Sequence, residues 1–330
     1  MGSLGDSGVI LITGAAGFIG QELAATLLLN TPSRLLLTDV VTPPIPAAVP
    51  AEFASRVQST KCDLTDAAAL DALLSTHKSY AAVYLLHGLM SGGAEANLEL
   101  GWRVNLDSHR NAIDHLRKNN PGTVVVFPSS LAVYGPSAKG EVSSESTTPL
   151  PQSSYGAQKL MIETYLNDMS RRGLLDGRIV RLPTIIVRPG APSAAASSFA
   201  SGIVREPLKG EESILPVARD LEMWVCSPDT VVSNLVLIKD VPASRFGPSR
   251  VLNLPGITVT VQDILDGLNA VAGPKAVALV KEERDPKVEA IVGSWPARFD
   301  TKRAESLGML PDLSLSENFA RFAARNKVAS

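Results

Sequence analysis

Residues 9–20 read Val9-Ile10-Leu11-Ile12-Thr13-Gly14-Ala15-Ala16-Gly17-Phe18-Ile19-Gly20, and the fold is decided there. A five-residue apolar run ends at the first of three glycines spaced three apart, and an apolar helical pattern follows. Gly14 permits a tight strand-to-helix turn, Gly17 lets a diphosphate approach the backbone, and Gly20 lets the new helix lie close to its strand. The amides at such a helix start, Phe18 and Ile19 among them, attract an anion.

Outward from this stretch, short apolar runs alternate with amphipathic segments. Strands are expected at 8–13, 34–39, 55–61, 80–86, 123–128 and 178–183, with helices near 18–29, 66–75, 95–119 and 154–171. Strands that read as unbroken apolar runs, such as Val83-Tyr84-Leu85-Leu86 and Val124-Val125-Val126-Phe127, suit a parallel sheet covered on both faces. The fold class is therefore α/β, a doubly wound Rossmann-type parallel sheet, and ligands belong at the carboxyl ends of its strands. The proline-rich stretch 41–50 reads as a surface loop. Beyond residue 184 the rhythm changes. Arg188-Pro189-Gly190-Ala191-Pro192 opens a loop, the small-residue run Ser193 to Ser201 follows, and helices are expected near 228–238, 261–272 and 314–326. The expected division is a cofactor core over 1–183 and a smaller, mixed substrate lobe over 184–330, with some later segments returning to the core.

The composition narrows the function. The chain has 330 residues and a net charge of −2, so nothing draws it toward nucleic acid or an anionic membrane. No apolar stretch is long enough to span a bilayer. Met1 to Gly8 lacks the basic start of a signal peptide, and it resembles a myristoylation site except that Asp6 stands where Ser or Thr is wanted. Cys62 and Cys226 stand far apart in unrelated contexts, and the four histidines show no ligand spacing, so no metal site is expected. A cytoplasmic protein is the expectation.

Asp39 ends the second strand 19 residues past Gly20. A carboxylate there accepts both hydroxyls of an adenosine ribose and repels a 2′-phosphate, and Val40 and Val41 offer no cation to receive one, so the cofactor is expected to be NAD rather than NADP. Asp63-Leu64 follows the third strand, where it suits either an adenine contact or a helix N-cap before Asp66. Tyr155 and Lys159 are four apart and share one helix face. An ammonium near a phenol favours the phenolate, which matters because tyrosine ordinarily titrates near ~10. Such a pair taken alone is an ordinary surface aromatic–cation contact. Its place downstream of the glycine loop, after a strand ending in Ser129-Ser130, points to a proton-exchanging phenol with Ser130 orienting the reacting oxygen. Ser129 reads as part of a turn.

The glycine motif, Asp39, Ser130-Leu131-Ala132-Val133-Tyr134-Gly135 and Tyr155-x-x-x-Lys159 together resemble the extended short-chain dehydrogenase/reductase superfamily, the NAD-dependent epimerase/dehydratase group, over about residues 8–270. The resemblance implies that Asn105 is the helix asparagine of a proton relay. It also implies that His87 and Gly88 run along the cofactor, that Pro183 and Thr184 lie against the nicotinamide, and that the helices holding Asn105 and Tyr155 form a homodimer. A narrower resemblance links Ser91-Gly92-Gly93-Ala94-Glu95, Leu100-Gly101-Trp102-Arg103-Val104-Asn105, Pro151-Gln152-Ser153-Ser154-Tyr155-Gly156, the stretch 181–190 and Ala194-Ala195-Ala196-Ser197-Ser198-Phe199 to the family of D-erythronate dehydrogenases. It implies substrate contacts from Ser91, Gly92, Thr184 and Ser197. Leu131 and Ala132 replace polar side chains of the related uronate enzymes, and Leu86 to Met90 is more apolar than the group's usual pattern. Both departures suit a small acid.

The expected reaction is therefore the NAD-dependent oxidation of the 2-hydroxyl of a short sugar acid to the 2-oxo acid, with Ser130, Tyr155, Lys159 and Asn105 as the catalytic set. Its carboxylate needs a cation, for which Arg188 is the first candidate and Arg205 the second. The alternatives are an epimerase or reductase on the same scaffold, and a regulatory protein that senses NAD without turnover.

Overall fold

The computed structural model describes residues 8–325, so the amino-terminal motif with Asp6 lies outside the described residues. In chain order the strands are β1 (Val9–Thr13), β2 (Arg34–Asp39), β3 (Val57–Lys61), β4 (Ala82–Leu85), β5 (Val124–Ser130), β6 (Asp176–Leu182), β7 (Thr184–Ile185), β8 (Ser213–Leu215), β9 (Glu222–Cys226), β10 (Val251–Asn253), β11 (Ile257–Thr260) and β12 (Val280–Glu282). The helices are α1 (Phe18–Asn30), α2 (Ala67–Leu74), α3 (Ser91–Ala96), α4 (Leu98–Gly101), α5 (Ser108–Asn119), α6 (Ser154–Arg171), α7 (Ser198–Leu208), α8 (Pro228–Ile238), α9 (Val261–Val277), α10 (Pro286–Val292), α11 (Lys302–Ser306) and α12 (Leu315–Arg325).

The main sheet has seven parallel strands in the order β10-β6-β5-β4-β1-β2-β3. Its central strands β1 and β4 are almost wholly apolar because both faces of the sheet are covered there. One core joins Ile10, Ile12, Leu35 and Leu37 to α1 and α8, and the other joins Leu11, Leu36, Val83 and Phe127 to α2, α5 and α6. The chain runs outward from β1 to β3 and then returns to β4 on the other side of β1. That reversal opens a crevice at the carboxyl ends of β1 and β4.

Segments beyond residue 184 divide. A β11-β9-β7 sheet and a β12-β8 pair enclose their own core of Ile186, Phe199, Ile203, Val225, Ile264 and Phe319. In contrast β10 joins the main sheet, while α8, Leu254 and Leu307 pack into the first core.

Several elements differ from the sequence expectation for local reasons. Residues Ala51–Arg56 form a 3-10 turn after Pro50 instead of opening the strand expected at 55–61. The helix expected over 95–119 is broken: Asn97 caps a new start by accepting from Leu100 N at 3.0 Å, and Trp102–Asp107 widens into a π turn before α5. The run read as a loop to Ser201 becomes helical from Ser198. β5 extends past Phe127 to Ser130. It tolerates Pro128 because its pairing with β4 covers only Val125 and Val126. The helix expected over 261–272 ends where Gly273 (φ 74°) and Pro274 break α9.

Candidate active site

The cofactor end of the crevice is made of backbone. Gly14 has φ 64°, and a Cβ there would lie 2.6 Å from His87 N. A Cβ on Gly20 would lie 2.6 Å from Gly14 O. Gly17 is the N-cap of α1, with no side-chain cap and no acidic residue in the first turn, so the first amides of α1 keep their hydrogens for an external acceptor. Asp39 Oδ2 accepts from Ala16 N at 3.0 Å and Oδ1 from Val40 N at 2.7 Å, which fixes the carboxylate beside the glycine turn. Amide donors, an absence of Cβ atoms and a carboxylate at the end of β2 together fit an adenine dinucleotide without a 2′-phosphate. Asp63 and Leu64 stand at the end of β3. Asp63 accepts from Thr65 N (2.9 Å) and Thr65 Oγ1 (2.8 Å), bonds that hold its carboxyl below the ordinary range. The N-cap of α2 is Asp66, not Asp63.

At the catalytic end, α6 begins where Ser153 Oγ accepts from Gly156 N at 3.1 Å. A Cβ on Gly156 would sit 2.1 Å from Ala132 O, so α6 abuts the turn that follows Ser130. This contact sets Tyr155 beside Ser130. Lys159 is buried, donates through Nζ to Pro128 O at 2.9 Å, and lies 4.6 Å from the Phe127 ring centroid and 5.7 Å from that of Tyr155. Burial pushes the Lys159 pKa down to about 8, against the opposing charge of Glu163. Burial pushes the Tyr155 phenol up to about 12, while the Ser130 hydrogen bond and the charge of Arg188 pull it back. The phenol's environment thus differs from the expectation drawn from Lys159: the cation that draws its pKa down is Arg188.

Asn105 lies inside the π turn. Oδ1 accepts from Leu89 N at 2.7 Å, and Nδ2 donates to Leu89 O (3.0 Å) and to Gln158 Oε1 (2.8 Å). One amide hydrogen thereby holds the 87–91 loop, and the other ties the turn to Gln158 of α6. His87 Nε2 meets Ser108 Oγ at 2.9 Å, and Ser108 donates to Val104 O at 2.6 Å, so His87 carries its hydrogen on Nε2 and accepts at Nδ1 from Thr13 Oγ1 at 2.7 Å. Its ring stacks on that of His109 at 3.8 Å. Gly88 sits against Asn105, where a Cβ would lie 3.2 Å from Oδ1.

A cavity of about 440 Å³ joins these ends. It is lined by Gly14, Gly17, Phe18, Ile19 and Gly20, by Ser130, Tyr155 and Lys159, and by Ser91, Pro183, Thr184, Arg188, Ser197 and Arg205. Among the described residues no carboxylate pairs with Arg188; Nη1 reaches only Ser193 Oγ at 3.5 Å. Burial and the neighbouring charge of Arg205 hold its pKa below the ordinary arginine range. Arg205 differs, because Nε and Nη2 bind Glu206 Oε1 (3.1 and 2.5 Å) and Nη1 donates to Arg188 O at 2.8 Å. Arg205 is a strut, and Arg188 is the cation open to a ligand.

Ser91 and Gly92 are engaged with the lobe. Ser91 Oγ accepts from Ala196 N at 3.0 Å, and Gly92 N donates to Ala194 O at 3.0 Å. They pin the strap that carries Ser197; Ser91 also lines the cavity, and Gly92 does not. Sequence reasoning missed Trp295 and gave Ser129 no role, yet both line the cavity. Ser129 Oγ is buried without a partner, a property that no sequence pattern announces.

Fold and site define a dinucleotide-binding enzyme with a serine, a tyrosine and a lysine at the carboxyl edge of its sheet. The chain belongs to the NAD dependent epimerase/dehydratase family, whose model matches residues 10–241, and its cofactor is NAD. It is 44% identical over 318 residues to D-erythronate dehydrogenase of Cupriavidus necator, covering 93% of this chain and 95% of that one. It is 40% identical over 316 residues to D-erythronate dehydrogenase of Haemophilus influenzae, covering 95% and 98%. Among solved structures it resembles the nucleoside-diphosphate-sugar epimerase from Agrobacterium tumefaciens, with TM-score 0.88 and 34% identity, covering 98% of this chain and 96% of that one. The chain is an NAD-dependent dehydrogenase.

Proposed function

We propose that this enzyme oxidises the 2-hydroxyl of D-erythronate, or of a closely similar short sugar acid, to the 2-oxo acid. The carrying observation is an arginine without a carboxylate partner, Arg188, in the same cavity as Ser130 and Tyr155. The two D-erythronate dehydrogenases, similar over nearly the whole chain, support this acid in particular.

Arg188 binds the substrate carboxylate and orients C2 toward Tyr155. Ser130 Oγ accepts from Ala132 N at 3.1 Å, and its hydrogen, directed at the Tyr155 oxygen, turns to the reacting oxygen when the acid binds. Tyr155 first gives up its own proton to solvent, and as the phenolate it receives the hydroxyl proton as the carbonyl forms. NAD, when bound, supplies the acceptor for the carbon-bound hydrogen and its electron pair. Lys159, with a pKa near 8, is mainly ammonium at neutral pH and supplies a fixed positive charge behind the phenol. Asn105 acts one step back, positioning the 87–91 loop. Asp39 with Gly14, Gly17, Phe18, Ile19 and Gly20 holds the dinucleotide, and Asp63, Leu64, His87, Gly88 and Pro183 complete its surround. A cytoplasmic homodimer belongs to the same reading.

The test is NADH formation by the purified protein with D-erythronate and with its C2 and C3 epimers. Formation of one NADH per 2-oxo acid is expected, with D-erythronate preferred. Conversion of a nucleotide sugar without added NAD and without NADH release would favour an epimerase. NAD binding with no turnover on any acid would favour a sensor.

A further inference from the structure

Trp295 lies far along the chain from every motif, in the segment after α10. Its backbone is held: Trp295 N donates to Val292 O at 3.3 Å, Ser294 Oγ to Ile291 O at 2.7 Å, and Thr258 Oγ1 to Ala297 O at 2.8 Å. The indole packs on the lobe core and lines the cavity that holds Ser130, Tyr155 and Arg188. It is the one aromatic side chain that the lobe contributes to the lining. Its Nε1 is buried and has no hydrogen-bond partner. Nothing in the cavity reaches that nitrogen, so the residue meets a ligand there as bulk and not as a donor.

We infer that Trp295 sets the length of the substrate: the ring is the wall that stops a longer acid. The inference rests on the sugar-acid reading above. With the carboxylate held by Arg188 and C2 by Tyr155 and Ser130, the rest of the acid must lie against the remaining wall. The other lobe side chains there are mostly small, Ala191, Ala195, Ser197 and Ser198 among them, and a wall of that kind alone would not stop an added CH–OH unit. A rigid indole can. Hydrophobic walls discriminate by bulk.

The test compares wild type, Trp295→Ala and Trp295→Phe, with Trp295→Leu as a less severe truncation, on D-erythronate and on aldonic acids one and two carbons longer. The readout is the ratio of kcat/KM for short over long acids, with circular dichroism and NAD binding as checks on folding. Trp295→Ala and Trp295→Leu are expected to lower that ratio by about 10-fold or more. Trp295→Phe keeps most of the ring, so its ratio should stay closer to wild type than in either truncation. A ratio within twofold of wild type in folded Trp295→Ala and Trp295→Leu overturns the wall. If wild type oxidises D-erythronate, that result leaves the functional reading standing. A wild type inert on every acid overturns that reading and this inference together.

Discussion

The two ends of the cavity recognise their ligands with different parts of the chain. The cofactor end is backbone: Gly14, Gly17 and Gly20 strip away side chains so that the turn and the first amides of α1 can meet a diphosphate, and the nearest anchoring side chain, Asp39, is itself held by two backbone amides. The lobe end is side chain. Arg188, Ser197 and Arg205 come from the strap and the helix α7 that follows it, Trp295 comes from the distant segment after α10, and the strap is tied to the core by Ser91 and Gly92. Recognition by backbone forces a compact glycine pattern on contiguous residues, whereas recognition by side chains leaves them scattered. The residues proposed for catalysis sit at the seam, where α6 touches the end of β5.

The largest effect is expected at that seam. Tyr155→Phe removes the proton acceptor and little volume, so kcat should fall by about 10²–10⁴-fold while the NAD dissociation constant stays within about threefold. NADH formation together with a calorimetric titration of NAD checks both. Turnover above a few per cent of wild type would move the proton transfer to another group and blur the division between the ends.

A smaller effect, confined to the lobe end, is expected from Arg188→Met. Losing a charge-assisted bond to the carboxylate should raise KM for the acid by about 10- to 100-fold and leave NAD affinity alone. Arg205→Met should act differently, since it leaves the Glu206 carboxylate without its partner and detaches a donor from Arg188 O. A lower melting temperature is its leading signature. If Arg205→Met raises KM more than Arg188→Met at unchanged melting temperature, the two arginines have exchanged roles.

The matching change at the cofactor end is smaller again. Asp39→Ala removes the ribose acceptor and also the acceptor of Ala16 N, so kcat/KM for NAD should drop by about 10-fold, with NADP losing less. The measure is the ratio of the two cofactors' kcat/KM. An unchanged ratio would mean that Asp39 braces the turn without reading the ribose.

This asymmetry also explains what was legible beforehand. The alternation of apolar strands and amphipathic helices, the glycine turn and the Tyr155–Lys159 spacing are local signals, and the doubly wound sheet follows from them. The π turn at Trp102–Asp107 was not legible, because its cause is tertiary: Asn97 starts a new helix, and Asn105 must point inward to Leu89 and Gln158. Ser91 reads as a substrate hydroxyl, yet its oxygen meets the strap, since a hydroxyl looks the same in sequence whichever partner it finds. Trp295 carries no periodic or spacing signal, and only the fold brings it to the cavity.

The smallest expected effect at neutral pH lies behind the catalytic lysine. His109 is fully buried, stacks on His87 and meets the edge of the Phe127 ring. Its Nδ1 faces Val104 O at 3.2 Å. Burial holds its pKa well below the usual value, helped by the charges of His87 and Lys159 when these are protonated. His87 is likewise driven down to about 3 by burial and by Lys159. Both rings are therefore neutral at pH 7, and His109→Phe should change stability there by less than about 1 kcal/mol, the worth of one modest hydrogen bond. In acid the two proteins should part. Between the unfolded histidine pKa near ~6.5 and the lower folded values, the unfolded chain binds protons that the folded chain refuses, so stability rises with pH across that window and is lost on acidification. Each such histidine contributes a slope approaching about 1.4 kcal/mol per pH unit. Removing His109 takes away one of the two slopes, so urea midpoints measured from neutral to mildly acidic pH should fall less steeply for His109→Phe than for wild type. Parallel lines would mean that the folded protein lets His109 take its proton, and the wall behind Lys159 would then be wetter than its packing implies.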